Sequence, residues 1–178
     1  MENVILTRNV FIASAFREIL HECRCKNTCV VDIDSYHSLR EVLRVIKDAD
    51  LNQNQRMFII KGISVFSQTL TSIAAVNILD SLSHIKHVFL KGRVPNYAFV
   101  VKYIREHSKL SMMTHKEKEL AYALMKYNDV SSMSHAMNSN HKTMYSRMRV
   151  MAMKLNLRDI SQVRKFILFE MAAGNITR

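Results

Sequence analysis

The sequence predicts an α/β half, a parallel sheet flanked by helices, followed by an all-α half of four helices that carries a helix-turn-helix. Three observations lead there. Up to about residue 106, short β-branched and apolar runs alternate with stretches of helical spacing. Beyond residue 107 the strand signals stop and the remaining apolar stripes have helical spacing. The 178 residues include only 3 glycines and 1 proline, which favours long helices and short connections.

Taken in order, "NVILT" (3–7) reads as a strand and "FIASAFREIL" behind it as a helix. "TCVVDID" (28–34) is a second strand, with a helix through "SLREVLRVIKD". "RMFIIKG" (56–62) and "KHVFLKG" (86–92) read as two further buried strands. The helices expected behind them are "TLTSIAAVNILDSL" and "NYAFVVKYIREH". Repeated β-then-α units of this length imply a parallel sheet covered on both faces. The clearest polar loop between units is "ADLNQNQ" (49–55).

The helical half is placed by its start signals. Thr114 with Glu117 fits a capping box that opens a helix to about Lys126. Asp129 or Ser131 caps a short helix ending near Asn138. Ser139 or Asn140 caps a longer one, 141–155, and Asp159 with Gln162 opens the last, whose stripe is Ile160, Val163, Ile167 and Met171. A short helix, a turn of about three residues and a longer basic helix form a helix-turn-helix pattern. At about 100° per residue, Met144, Met148, Met151 and Leu155 share one stripe of the longer helix. Lys142, Tyr145, Ser146 and Arg149 lie roughly opposite, with Arg147 and Lys154 on a flank.

The formal charge is +11, which points to a polyanionic partner. Residues 108–178 hold 12 Lys and Arg against 5 Asp and Glu, while 1–107 hold 14 against 10, so the smaller segment carries most of the excess. No signal peptide and no apolar run of membrane-spanning length is evident, so a cytoplasmic protein is expected. Cys23, Cys25 and Cys29 follow C-x-C-x3-C, which matches no common zinc spacing; reduced thiols and no metal or other cofactor are expected. The chain has no G-x-S-x-G, no H-E-x-x-H and no phosphate-cradling glycine loop, so no enzyme is expected. Tyr103, Tyr122 and Tyr127 do not gather on a strand as an RNA-stacking platform would.

The C-terminal half resembles the LuxR-type helix-turn-helix transcription regulators. Their module typically runs L-T-x-R-E-x-E-V, then I-A-x-x-L, then K-T-V-x-x-H and K-L-G-V. The corresponding stretches here are "MTHKEKEL" (113–120), "MSHAM" (133–137), "KTMYSR" (142–147) and "KLNL" (154–157), in register without a gap over about 65 residues. The family glycine after K-L is Asn156 here, which tolerates the left-handed conformation. The family histidine is Arg147, and the alanine of the scaffold helix is Ser134. The resemblance implies double-stranded DNA as partner. Tyr145, Ser146 and Arg149 would approach base edges, and Lys142, Thr143, Arg147 and Lys154 would lie near phosphates. A homodimer is expected because a short site read by one helix gives limited affinity. The resemblance adds a heterodimer with another response regulator as the alternative, and association with the nucleoid is expected.

The first half looks like the phosphoacceptor receiver domain often found ahead of this module. Residues 1–106 would form it, 107–113 a linker and 114–178 the DNA-binding domain. Thr7 and Arg8 stand where a receiver carries its acidic pair, so nothing there would hold a divalent cation. Asp32 or Asp34 would sit at the phosphoacceptor strand end, and Lys91 resembles the receiver lysine. With Arg8 nearby, Asp34 is expected in an ion pair or capping the next helix. One strand-helix unit also looks shortened, since about 20 residues separate the first strand from "CVVDID". A degenerate receiver working without phosphorylation follows. The competing expectation is an auxiliary interaction module that heterodimerises with, or sequesters, another DNA-binding regulator.

Overall fold

The computed structural model describes residues 2–51 and 55–175. Strands β1 (Val4–Leu6), β2 (Thr28–Asp32), β3 (Arg56–Lys61) and β4 (Val76–Asn77) form one parallel sheet in the order β1-β2-β3-β4. Val4 stands opposite Cys29, Thr28 opposite Arg56, and Ile60 opposite Val76. The helices are α1 (Val10–Glu22), α2 (Leu39–Asp48), α3 (Val65–Thr69), α4 (Leu82–Lys91) and α5 (Tyr97–Ser108), then α6 (His115–Lys126), α7 (Val130–Ala136), α8 (His141–Lys154) and α9 (Ile160–Asn175). The α/β half followed by an all-α half is therefore the observed architecture.

Alternate residues of the buried strands face opposite layers, as the period of two requires. Val30, Phe58 and Ile60 pack against α1 and α4, with Phe58 stacked on Phe89 at 4.3 Å between ring centroids. Cys29, Val31, Met57 and Ile59 face the other way, towards α2, α3 and α5. That second core continues without a break into the C-terminal helices, reaching Leu120, Met148 and Phe166.

The topology has an unusual hand. The chain steps from β1 to β2 to β3 in one direction, yet α1 lies on one face and α2 on the other. The α1 connection therefore has the opposite hand to the α2 connection, in a class of fold where right-handed crossovers are nearly universal. A doubly wound sheet of order 2-1-3-4-5 has this arrangement once its second strand unit is removed, because its first strand then borders its third. Between β1 and β2 the chain holds one helix, α1, and no further strand.

Two segments depart from the sequence reading. Residues 86–92 are not a strand: Ser81 caps α4 by accepting from the His84 amide, and Ile85 and Phe89, four apart, bury against the sheet. A short apolar run cannot distinguish strand from buried helix by periodicity. Lys91 is accordingly the exposed last residue of α4, not a residue at a strand end. Nor is "TLTSIAAVNILDSL" one helix. It holds a 3-10 turn (Thr71–Ile73), β4, and then a turn closed by Asp80 accepting from the Asn77 amide while Asn77 accepts from Leu79. Asx bonding of this kind competes with helix. The expected polar loop 49–55 is described only in part, since residues 52–54 lie outside the described residues.

Candidate nucleic-acid interface

The capping chemistry that fixes α6, α7 and α8 is local. Thr114 accepts from the Glu117 amide and Glu117 accepts from the Thr114 amide, a complete capping box. Asp129 caps α7 through the Ser132 amide, and Asn140 caps α8 through the Thr143 amide at 2.8 Å. Between α7 and α8, Asn138 takes φ 45°, its amide donates to the His135 carbonyl, and the Ser139 amide donates back to Ser134. This is a Schellman turn built on Asn instead of Gly. Asn156 ends α8 the same way at φ 56°, with the Leu157 amide on the Ala152 carbonyl.

These stops orient α8. Met144, Met148, Met151 and Leu155 are buried against the bundle. Lys142, Tyr145, Ser146 and Arg149 are exposed, Tyr145 at 46% of its surface, while Thr143 and Arg147 are half-buried beside them. The exposed face stays open although the N-terminal half is packed on the same bundle through α2 and α3. Lys154 differs from the other candidates: its ammonium donates to Glu117 at 2.6 Å. Burial pushes the Glu117 carboxyl up, but Lys154 and the Thr114 bonds more than offset this and hold it below the usual range. Lys154 thus locks α8 onto α6, a pairing across 37 residues that no local sequence signal announces.

Sequence reasoning also missed the joint between the halves. Glu170 of α9, only 1% exposed, accepts from the amides of Leu39 and Arg40 at 2.7 and 3.2 Å and from the Ser108 hydroxyl at 2.6 Å. A carboxylate of the C-terminal half therefore completes the N-terminus of α2, where unpaired amides and the helix dipole favour negative charge. Asn156 adds a bond from its amide group to the Thr69 carbonyl at 3.2 Å. Phe66 lies against Phe166 and Phe169, with centroids 5.4 and 6.4 Å apart.

The carboxyl ends of the strands hold the other group of expected residues. Asp32 is buried and accepts from the hydroxyls of Thr7 at 2.7 Å and Ser35 at 2.6 Å. Asp34 accepts from the Ile63 amide at 2.7 Å, from the Ser64 amide and from the Ser67 hydroxyl. It thus caps the start of α3, not the helix that follows it in sequence. Burial alone would raise the Asp34 carboxyl; the Ser64, Ser67 and Ile63 bonds bring it below the usual range. Gly62 makes room for it, since a Cβ there would lie 2.1 Å from the carboxylate. Arg8 pairs with Glu41 and lies 5.6 Å from the centre of the Tyr36 ring. Of the cysteines, Cys29 is buried, which pushes its thiol up to about 12, and Cys23 and Cys25 are half-buried and free.

Comparison by sequence yields no match to any protein-family model or curated protein. Comparison by structure yields the two-component response regulator RcsB in complex with DNA, with a TM-score of 0.62 at 12% identity over 97% of this chain and 98% of that one. Two RcsB dimers bound to two parallel DNAs give a TM-score of 0.55 at 12% identity, with the same coverage. At that identity the likeness establishes a shared fold, that of a response regulator with its α/β and helix-turn-helix parts.

Proposed function

We propose that this protein is a sequence-specific DNA-binding transcription regulator that reads the major groove with α8 and does so without phosphorylation. The observation that carries the reading is the open face of α8. Lys142, Tyr145, Ser146 and Arg149 reach solvent while the α/β half is locked to the same bundle. No rearrangement is needed to present them. A fold shared with a regulator solved on DNA supports the reading. Independence from phosphate is supported by the strand ends, where Asp32 and Asp34 are taken up by hydroxyls and amides and Thr7 and Arg8 replace an acidic pair.

In this reading Arg149 contacts a base edge with two donors, Tyr145 and Ser146 lie beside it, and Lys142, Thr143 and Arg147 approach phosphates. Lys154 contributes by holding the helix. Two copies would read two half-sites, as one helix gives limited affinity, and the protein would work at the nucleoid. A second reading, an auxiliary module that pairs with another DNA-binding regulator, is favoured by apolar side chains left open near the carboxyl ends of the strands. Phe11 is 82% exposed there, and Ile63 and Leu79 nearly as much.

Fluorescence-anisotropy titrations on duplexes enriched from a random pool, over a salt series, test this. Arg149→Ala is expected to cost about 1–3 kcal/mol and to relax selectivity at one base position. The wild-type affinity should fall steeply with salt. Failure to enrich any sequence, or an Arg149→Ala protein that binds unchanged, would move the assignment to the pairing module.

A further inference from the structure

A second cationic feature lies in the N-terminal half, away from the open face of α8. Arg40, Arg44 and Lys47 recur at helical spacing along one face of α2, and Arg105 and Lys109 stand four apart at the end of α5. The two helices pack together and these five cations line one groove of about 450 Å³, with Leu43 and Ser108 completing its walls. Like charges at such spacings oppose one another, and the chain offers little to offset them. Arg44 lies 4.0 Å from Glu41, which already holds Arg8, and Arg40 lies 3.5 Å from Glu170. Among the described residues, no carboxylate lies within 4.0 Å of Lys47, Arg105 or Lys109.

A neighbouring cavity, also about 450 Å³, shares Arg40 and Arg44 with the groove and is lined as well by His37 and Glu41. That cavity is walled by Phe169, Ala172 and Ala173 of α9. Phe169 as a whole is 44% exposed. One end of the combined site is therefore densely cationic, and the other offers an aromatic face. Packed helices run about 8–10 Å apart, so the cations of α2 and α5 stand close enough together to hold a chain of phosphates between them.

We infer that this groove binds a nucleoside polyphosphate, its phosphates between the cations of α2 and α5 and its base against Phe169. The site is joined to the rest of the fold, because Arg40 and Ser108 also hold Glu170. A phosphate that draws Arg40 competes with the carboxylate joining α9 to α2. Occupancy therefore bears on how the two halves are held, which reaches DNA binding only if the function proposed above is correct. Binding itself does not depend on that reading.

The test is calorimetric titration of the full chain at about 0.15 M salt, where exposed charges are screened beyond about 8 Å. The probes are adenosine triphosphate, guanosine triphosphate, inorganic tripolyphosphate and sulfate. A nucleotide is expected to bind saturably, one per chain, with tripolyphosphate weaker and sulfate undetected. The double variant Lys47→Glu, Arg105→Glu should weaken nucleotide and tripolyphosphate by about tenfold or more. Phe169→Ala should weaken the nucleotide alone. Thermal melts of the variants check that they fold, as the substituted charges are exposed. Equal binding with and without the charge reversal, or binding only where sulfate also binds, overturns the site. Loss of duplex binding by the double variant in parallel with nucleotide overturns it too, because the groove would then belong to a DNA footprint. An unchanged nucleotide affinity in Phe169→Ala overturns the placement of the base.

Discussion

The carboxylate of Glu170 has almost no contact with water, yet it meets two backbone amides and a hydroxyl and lies 3.5 Å from the Arg40 guanidinium. Burial is the largest influence on it and raises its pKa above 4.5; Ser108 and the amides of α2 pull the other way without overcoming it. A carboxyl whose folded pKa is raised contributes most to stability when it is protonated in both states. That contribution is lost as pH climbs from about 4.5 through the higher folded value. Glu170→Gln keeps an oxygen for the amides and cannot titrate. The stability of wild type minus that of Glu170→Gln, from urea melts between about pH 4 and pH 7, should therefore fall as pH rises. Taking the difference removes Asp34 and Glu117, whose lowered pKa values push the whole-protein curve the opposite way. A difference that is flat or rising would mean that the four neighbours outweigh burial. None of this is legible in the sequence. Leu39 and Ser108 are 131 and 62 residues from Glu170, and a glutamate in a late helix reads as surface until its partners are placed.

For whole elements, what is written locally is what can be read. The sequence points to the cap Thr114 and offers Asp129 and Asn140 each as one of two candidates, since a side chain and an amide three residues apart carry the entire interaction. The same locality explains the mistaken strand at 86–92. "HVFLK" is apolar enough for either layer, and the Ser81 cap together with the packing of Phe89 on Phe58 and Phe16 decides for helix. On α8 the cap has a measurable weight. Asn140→Ala leaves the Thr143 amide unpaired at the helix start, and should cost about 1 kcal/mol in urea melts, with Asn140→Asp close to wild type. If Asn140→Ala were neutral, the Schellman turn at Asn138 alone would be fixing the entry to α8. The open face owes its direction to both ends, for Asn156 ties the far end to Thr69 while Asn140 sets the near one.

Across the molecule, the two halves read as separate grammars in the sequence but share one core. The sequence shows where strand signals stop, because periodicity changes there; it does not show that Phe66, behind β3, meets Phe166 in α9. Nor does it show the opposite hands of the α1 and α2 connections, which follow from the strand order together with the faces on which the two helices lie. With Leu39 held by Glu170, Phe66 on Phe166, and Leu110 and Met113 buried between α5 and α6, the halves have few ways to open separately. A shared core of this kind predicts one cooperative transition, not two. Phe166→Ala is the decisive change, since Phe166 is fully buried and belongs to the bundle by sequence but to both halves by contact. It should cost about 3–5 kcal/mol, and hydrogen exchange should show the amides of β2 and β3 losing protection together with those of α8 and α9. Were the sheet amides to keep their protection while the helices lost theirs, the halves would unfold independently. The joint at Glu170 would then be a contact between neighbours, unable to carry a signal from the α2–α5 groove to the open face of α8.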